Sequence, residues 1–398
     1  MAVQVVKPRI RGFICTNAHP AGCHANVLNQ IEVVKRGFAD SKRDGLNALV
    51  IGASTGYGLA SRIALTWGYG AKTLGLLYER PADGRRTATA GYYNTVAFHR
   101  QANQDGFFAE SLNGDAFSDA MKREAISSIR EHLGPIDMLV YSIAAPRRIH
   151  PRTGESHQSV LKPIGAPYTG KTINLNREVV VPVTIEPASE TEIADTVAVM
   201  GGEDLGMWIA ALAEEGLLAT GVTVVAYTYL GSPLTWPIYR DGTIGKAKDD
   251  LKARVDALDE QLAKELGGHA YISVNKAVVT QASAAIPVVP LYISILYDIM
   301  NAQGINEAPV EQMQRLFSDY LGPGIQPQLD SERYIRLDER ELREDVTAAV
   351  TDRWEQIDTD NFYELSDYAG FRRRFRNLFG FEVDGVDYEA AVETELEF

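Results

Sequence analysis

The sequence predicts an α/β fold of Rossmann type, a doubly wound parallel sheet that is enlarged by additional segments at both ends. Short apolar runs alternate with longer amphipathic stretches from residue 46 onward, and a glycine-rich turn follows the first of these runs. A parallel sheet with helices on both faces accounts for this alternation. We expect one large domain over residues 1–398, with a core at 46–300, an N-terminal hairpin or loop extension at 1–45 and a mainly helical extension at 301–398.

The individual elements follow from the apolar patterns. Buried apolar runs predict strands at residues 46–51, 73–78, 107–113, 136–143, 179–185, 223–229 and 271–280. Helical periodicity predicts helices at residues 54–67, 116–133, 190–215 and 246–266. The sequence contains no internal repeats and no low-complexity linkers, so we expect the sheet to continue past residue 270 within one domain.

Composition and charge narrow the class of protein. The 398 residues are 45% hydrophobic and carry 39 Lys and Arg against 53 Asp and Glu, which gives a net charge of −14. Such a chain folds into a globular core, and its acidic field disfavours binding to nucleic acid or to an anionic membrane. The segment MAVQVVKPRIRGF has no secretory apolar run, and the apolar stretch 284–297 is too short and too broken by proline to span a bilayer. We expect a cytoplasmic monomer that binds neither nucleic acid nor a membrane.

The glycine-rich turn has the spacing G-x3-G-x-G, with Gly52, Gly56 and Gly58 between the first strand and the following helix. Glycines at such a turn let backbone N–H groups approach a diphosphate at the helix N-terminus. A tight turn without a ligand is the alternative. The strand before it and the helix after it favour a dinucleotide site.

Glu79 ends the second strand, where a dinucleotide fold places the acid that binds the adenosine ribose. A carboxylate there repels a 2′-phosphate, so we expect NADH rather than NADPH. A surface acid is the alternative, and the nearby Arg80, Arg85 and Arg86 would suit a phosphate instead. Asp115 is placed to bind the adenine amine.

A phenol beside an ammonium group occurs where Tyr239 precedes Lys246 and Lys248. Such a pair suits a nicotinamide-dependent reductase, because the cation lowers the phenol pKa and holds the nicotinamide ribose while the phenol stabilises an oxyanion. In one continuous helix Lys246 would share the face of Tyr239. However, Gly242 and Thr243 suggest that the helix begins after the tyrosine, with Thr243 as its N-cap, so the residues leave the choice of lysine open. A buried structural tyrosine with two solvated lysines is the alternative.

Taken together, these segments resemble a known family over essentially the whole chain. The Gly52–Gly58 loop, Glu79, NGDAF at 113–117, LTWPIYRDGTIGKAK at 234–248 and NKAVVTQASAAIPVVPLYISILY at 275–297 resemble the long NADH-dependent trans-2-enoyl-CoA and enoyl-acyl-carrier-protein reductases. The resemblance implies reduction of the C2=C3 bond of an enoyl thioester by NADH in fatty-acid synthesis.

The resemblance also implies roles for individual residues. Tyr239 would donate the proton, Lys248 would hold the nicotinamide ribose and Tyr229 would contact the substrate. The residues implied to bind the cofactor are Gly52, Ala53, Ser54, Thr55, Gly56, Tyr57, Gly58, Tyr78, Glu79, Asp115, Ala116, Ile143, Ala144, Lys248, Val278, Val279 and Thr280. The alternatives are a short-chain alcohol or ketone dehydrogenase, for which Ser232 is an available serine, and a protein that senses NAD(H) without turnover.

Three further features have less specific interpretations. The apolar stretch 284–297 suits either an acyl-chain tunnel or an ordinary core helix. The spacing of Cys15, His19, Cys23 and His24 matches no common zinc pattern, so we expect no metal there. Two basic clusters are candidates for contact with CoA phosphates or an acidic carrier protein, although most charge runs are solvated surface: Arg147, Arg148 and Arg152, and Arg372, Arg373, Arg374 and Arg376.

Overall fold

The computed structural model describes residues 3–38, 45–322 and 324–398, so parts of the expected N-terminal extension (residues 1, 2 and 39–44) lie outside the described residues. Its centre is a seven-stranded parallel sheet. The strands are β1 (Asn47–Ile51), β2 (Lys72–Leu77), β3 (Ala109–Asn113), β4 (Ile136–Tyr141), β5 (Leu218–Thr228), β6 (His269–Val274) and β7 (Tyr334–Arg336). Their order across the sheet is β3-β2-β1-β4-β5-β6-β7, with all neighbours parallel. The predicted doubly wound Rossmann architecture is confirmed.

Helices cover both faces of the sheet. They are α1 (Pro20–Gly37), α2 (Gly56–Ile63), α3 (Ala90–Gln104), α4 (Asp119–Ser128), α5 (Glu190–Met200), α6 (Glu203–Glu214), α7 (Thr243–Leu266), α8 (Gln281–Ala285), α9 (Val289–Ala302), α10 (Pro309–Arg315), α11 (Glu344–Gln356), α12 (Phe362–Leu365) and α13 (Tyr368–Asn377). Single π-helical turns extend α2, α4 and α10 at Ala64–Gly68, Ile129–Leu133 and Leu316–Tyr320.

Alternate side chains of the central strand β1 enter two different parts of the core. Val50 packs in a cluster with α1, α2 and α10, whereas Leu49 and Ile51 pack in a cluster with α4, α6 and α7 on the other face. This is the period of two that a strand buried on both faces requires. A third cluster joins α9, α11 and α13, which places the C-terminal helices against the core.

Short antiparallel pairs lie outside the main sheet. Val3–Gln4 pairs with Val392–Glu393, Ile10–Arg11 with Ile14–Cys15, Arg147–Ile149 with Ser156–Gln158, and Tyr168–Asn174 with Val179–Ile185. The strand predicted at 179–185 is therefore present, but it belongs to a hairpin and not to the parallel sheet. The expected N-terminal hairpin is also present and is followed by the 18-residue helix α1, which the sequence pattern did not predict.

The helix predicted at 190–215 is divided into α5 and α6 at Gly201 and Gly202. A Cβ at Gly202 would lie 2.4 Å from Cβ of Arg254, and the Gly202 N–H donates a hydrogen bond to Asp250 Oδ1 at 2.7 Å. Close contact with α7 therefore sets the break. By length and composition this stretch, Glu190–Glu214, is the one candidate membrane span among the described residues, yet half of it is buried in the protein. Core packing accounts for its apolar character.

The strand predicted at 271–280 stops at Val274, and residues 275–280 form a loop. Side chains from distant segments bind this loop in place of a neighbouring strand. The Lys276 N–H donates to Gln312 Oε1 at 3.0 Å, and the Ala277 N–H donates to Glu341 Oε2 at 2.7 Å. Because these two N–H groups have side-chain partners, the chain can leave the sheet after Val274 without leaving buried backbone groups unpaired.

Candidate active site

The three glycines of the turn between β1 and α2 have three different surroundings. Gly52 has φ +90°, and a Cβ there would lie 2.2 Å from the carbonyl oxygen of Ser142. A Cβ at Gly58 would lie 1.9 Å from the carbonyl oxygen of Gly52. Gly56, at φ +53°, has open space where its Cβ would be. Two glycines therefore allow close backbone packing, and Gly56 leaves room for a diphosphate at the N-terminus of α2.

Glu79 lies at the end of β2 beside this turn. Its Oε1 accepts a hydrogen bond from Ser54 Oγ at 2.7 Å, and its backbone exchanges two hydrogen bonds of 2.8 Å with the Asn113 side chain. Arg80 donates to the carbonyl of Thr87 at 3.1 Å. The carboxylate is thus held beside the turn while the arginine is bonded elsewhere, which fits a ribose better than a 2′-phosphate.

A cavity of about 840 Å³ opens in front of the turn. The predicted cofactor residues that line it are Thr55, Gly56, Glu79, Val278, Val279 and Thr280. The remainder of its wall includes Asn17, Asn26 and Arg374, which come from the two ends of the chain. The volume of this cavity, the open space at Gly56 and the carboxylate of Glu79 fit a dinucleotide.

The other predicted cofactor residues lie at neighbouring strand ends. Ile143 and the exposed Ala144 follow β4, and the Tyr78 side chain is 81% exposed. Asp115 and Ala116 follow β3, where Asp115 Oδ1 accepts a hydrogen bond from the Phe117 N–H at 3.0 Å. All of these positions occupy the carboxyl edge of the sheet, where doubly wound folds bind ligands.

Tyr239 lies in a turn before α7, and its ring packs edge-to-face against that of Tyr229 with a centroid distance of 5.0 Å. Burial and the negative charge of Glu341 raise the pKa of Tyr239 above its ordinary value. The prediction that a neighbouring lysine lowers the pKa of this phenol is therefore wrong. Both effects favour the protonated phenol over the phenolate.

The structure distinguishes the two lysines that sequence spacing left open. Lys246 is exposed and pairs with Asp249 at 3.7 Å, whereas Lys248 points inward and its Nζ donates to the carbonyl oxygen of Tyr227 at 3.3 Å. Burial lowers the pKa of Lys248 to about 8. The expected N-cap at Thr243 is wrong: α7 is capped by Gly242, because the Thr243 hydroxyl donates to the carbonyl of Val160 at 2.6 Å.

Tyr227 connects Lys248 with the glycine-rich turn. Its hydroxyl lies 2.6 Å from Ser61 Oγ on α2, and its ring lies 6.0 Å from that of Tyr57. Tyr57 in turn donates to the carbonyl of Lys276 at 2.9 Å. A chain of contacts thus connects Lys248, the start of α2 and the loop at 275–280.

Glu341 is a site residue that the sequence analysis missed. It is 1% exposed and accepts hydrogen bonds at Oε1 from the hydroxyls of Tyr229 at 3.0 Å and Tyr292 at 2.7 Å. Its other oxygen accepts from Ala277. Burial raises the pKa of Glu341, against the effect of these three donors. No local spacing in the sequence marked this residue.

The remaining sequence candidates have structural partners. His19 caps α1 through Nδ1, which accepts from the Gly22 N–H at 3.2 Å, and within residues 3–38, 45–322 and 324–398 no cluster of three or more His, Cys, Asp or Glu could hold a metal ion. Arg148 is 1% exposed and pairs with Glu203 at 2.8 Å. Each arginine of the second basic cluster bonds its own carboxylate: Arg372 with Glu178, Arg373 with Asp384, Arg374 with Asp367 and Arg376 with Glu382.

Helix α9 is mostly core, and few of its side chains face a cavity. Tyr297 lines the large cavity, and Tyr292 lines a second cavity of about 520 Å³ that also contacts Glu341 and α11. The residues between them pack against α11 and α13. The core-helix interpretation thus describes most of α9, which contacts one cavity through Tyr292 in its first turn and the other through Tyr297 near its middle.

Family models match three consecutive parts of the chain. Residues 5–84 match the NAD(P)H-binding domain of trans-2-enoyl-CoA reductase, residues 86–321 match its catalytic region, and residues 329–392 match a model described as an enoyl reductase FAD-binding domain. Residues 329–392 do not fit a flavin dinucleotide. A Cβ at Gly370 would lie 2.2 Å from Asp367 and one at Gly380 would lie 2.5 Å from Cys23, while Gly385 precedes no helix.

Full-length relatives agree with these matches. The chain is 51% identical over 392 residues to an enoyl-acyl-carrier-protein reductase (NADH) of Opitutus terrae, covering 98% of this chain and 99% of the relative. It is 52% identical over 395 residues to the enzyme of the same name from Serratia proteamaculans, covering 99% and 98%.

Two solved structures have the same architecture. The trans-2-enoyl-CoA reductase of Clostridium acetobutulicum in complex with NADH superimposes with a TM-score of 0.94 at 42% identity, covering 98% of each chain. The trans-2-enoyl-CoA reductase of Treponema denticola in complex with NAD gives a TM-score of 0.94 at 42% identity, covering 99% of this chain and 100% of the other.

Proposed function

This chain belongs to the trans-2-enoyl-CoA reductase family, and from that premise we propose that it reduces the C2=C3 bond of trans-2-enoyl thioesters with NADH in fatty-acid synthesis. The observation that carries the proposal is the position of Tyr227. Its carbonyl binds Lys248, its hydroxyl contacts α2, and two residues later Tyr229 packs against Tyr239. These contacts support a site in which the phenol of Tyr239 and the ammonium group of Lys248 act beside the dinucleotide turn.

The mechanism assigns each group a step. When bound, NADH supplies the hydride that adds to C3 of the thioester, and negative charge then develops on the thioester oxygen. Tyr239, assisted by Tyr229, donates a hydrogen bond to that oxygen and stabilises the enolate. A proton that Tyr239 gives up then adds to C2, and the phenol regains a proton from solvent. The Lys248 ammonium holds the nicotinamide ribose hydroxyls. Both tyrosines are partly buried, which limits their contact with water and strengthens these interactions.

NADH is the proposed cofactor because Glu79 would repel a 2′-phosphate and two of the three nearby arginines, Arg80 and Arg86, have partners within the protein. Arg86 donates to Asp83 Oδ2 at 2.9 Å, and Arg80 is bonded to the carbonyl of Thr87. A 2′-phosphate would find Glu79 and no free guanidinium among these two arginines. We propose ribose binding by Glu79, with Ser54 fixing its carboxylate.

The test is Tyr239→Phe, assayed by oxidation of NADH with crotonyl-CoA. Loss of one oxyanion donor costs about 3 kcal/mol, so kcat should fall about a hundredfold. The dissociation constant for NADH should change little, because the phenol binds no part of the dinucleotide in this mechanism. A variant with near-normal turnover would remove Tyr239 from the chemistry.

Substrate class is tested with the wild-type chain. The proposed reductase uses crotonyl-CoA and its carrier-protein counterpart, whereas a short-chain dehydrogenase would use acetoacetyl-CoA. We further propose that the chain acts as a cytoplasmic monomer, which sedimentation at micromolar concentration tests. Steady oxidation of NADH only with acetoacetyl-CoA would favour the dehydrogenase, and binding without turnover would favour a sensor.

A further inference from the structure

We propose that Glu341 is a positioning residue, which orients the Tyr229 hydroxyl for the enoyl thioester and fixes the cofactor loop at 275–280 with the same carboxyl group. This inference rests on the proposed enoyl reduction. Glu341 follows β7, so it comes from the C-terminal part of the chain, 112 residues after Tyr229. The catalytic, substrate and cofactor residues that the family resemblance implied all lie between residues 52 and 280.

The hydrogen bonds of Glu341 divide between substrate and cofactor sides. Oε1 accepts from Tyr229 at 3.0 Å and from Tyr292 at 2.7 Å, and Oε2 accepts from the Ala277 N–H at 2.7 Å. Ala277 directly precedes Val278, the first of the cofactor-loop residues that line the large cavity. One rigid carboxyl group therefore fixes both the rotation of a substrate-side hydroxyl and the backbone of a cofactor-side loop.

Packing alone does not explain an acid at this position. A carboxyl group that is 1% exposed has lost its hydration, and an apolar side chain of similar volume would fill the same space without that cost. Lys276 is close enough for its positive charge to act on Glu341, but its Nζ donates to the carbonyl of Ala277 at 2.9 Å and no hydrogen bond joins the two side chains. The hydrogen-bond donors to Glu341 are the hydroxyls of Tyr229 and Tyr292 and the N–H of Ala277. A phenol hydroxyl can rotate about its C–O bond, and the carboxyl group fixes the direction in which it points.

The group is also accessible from one side. Glu341 and Tyr292 line the cavity of about 520 Å³, together with Ser232 and Leu234 from the turn before Tyr239. A thioester in this cavity would lie against Tyr292, whose hydroxyl shares Glu341 Oε1 with the hydroxyl of Tyr229. Glu332, on the other side of β7, is exposed and lines neither of the two cavities, so it provides a control for the loss of a carboxylate.

The primary variant is Glu341→Gln, which keeps the shape of the side chain. Its amide oxygen can still accept from Ala277, while its NH2 group faces Tyr229 and donates where the carboxyl accepted. We expect NADH affinity within about threefold of wild type and kcat with crotonyl-CoA reduced about tenfold or more. Glu332→Gln removes a carboxylate that lies outside both cavities and should leave both values within about twofold.

A double-mutant cycle separates orientation from general stability. If Glu341 acts on turnover through Tyr229, then Glu341→Gln should lower kcat no further in a Tyr229→Phe background. Full additivity of the two substitutions would overturn the proposal, and so would Glu341→Gln with kcat within twofold of wild type. A wild-type chain that does not oxidise NADH with crotonyl-CoA would instead overturn the proposed function.

Discussion

Lys246 and Lys248 lie two residues apart on α7 and have opposite surroundings. Lys246 is solvent-exposed, whereas Lys248 reaches the carbonyl of Tyr227 beside the dinucleotide turn. We expect Lys248→Met to raise KM for NADH and to lower kcat, each about tenfold or more, because a buried cation and its hydrogen bonds are lost. Lys246→Met is the control. Equal effects of the two substitutions in steady-state assays would contradict this assignment.

The same lysine predicts a pH dependence of activity. Burial lowers the pKa of Lys248 to about 8, so its ammonium form prevails below that pH and is lost as the pH rises through it. We expect kcat/KM for NADH to decline above about pH 8. Lys276 also has a pKa lowered by burial to about 8, so the assignment needs a variant. In Lys248→Arg, whose guanidinium stays charged, the alkaline decline should move upward. An unchanged profile in an active Lys248→Arg variant would exclude Lys248.

Some site residues could be predicted from sequence because their chemistry is local. Gly52, Gly56 and Glu79 follow strands at characteristic positions, and Tyr239 lies in a segment with a specific family pattern. Glu341 could not be predicted in this way. Its role depends on contacts with residues that are 49, 64 and 112 positions away, and an isolated glutamate carries no spacing signal.

At the level of elements, the turn between β1 and α2 gives a prediction about Gly56. Alanine at φ +53° should destabilise the chain by about 1–2 kcal/mol and should also block the approach of a diphosphate, so NADH affinity should fall about tenfold or more. Gly106→Ala is the control, since Gly106 has φ +79° and equally open space but lies in the turn after α3. Thermal unfolding and NADH titration measure the two effects. A Gly56→Ala variant that loses only stability would place the diphosphate elsewhere.

Element boundaries were predictable where apolar periodicity alone sets them. The predicted strands at 46–51 and 73–78 differ by one residue at their ends from β1 and β2. The strand predicted at 271–280 failed because side chains from 312 and 341 bind the backbone of residues 276 and 277, and an apolar run does not reveal such partners. The predicted helix at 190–215 failed because its break depends on contact with α7.

At the level of the whole molecule, the ends of the chain complete the central unit. Strand β7 extends the sheet, and Val3–Gln4 pairs with Val392–Glu393. Asn17 and Arg374 line the large cavity of about 840 Å³. A site assembled from segments this far apart needs the entire chain to be folded. Local sequence patterns therefore described the central strands well and the terminal segments poorly.

The charge distribution gives a prediction about carrier-linked substrates. The chain has a net charge of −14, and each arginine between 372 and 376 already bonds a carboxylate, so this cluster offers no excess positive charge to an acidic carrier protein. Added salt screens repulsion between like-charged proteins. We therefore expect kcat/KM with a carrier-linked enoyl substrate to hold steady or rise between low salt and 0.15 M NaCl.

The double variant Arg373→Ala/Arg376→Ala tests the role of the cluster directly. These exposed pairs contribute little to stability, so folding should be retained, and activity with carrier-linked substrate should stay within about twofold of wild type. The same assay with crotonyl-CoA serves as the control for general damage. A steep loss of carrier-linked activity with salt in the wild type, absent from the double variant, would instead make this cluster the docking surface, because only a net attraction is weakened by screening.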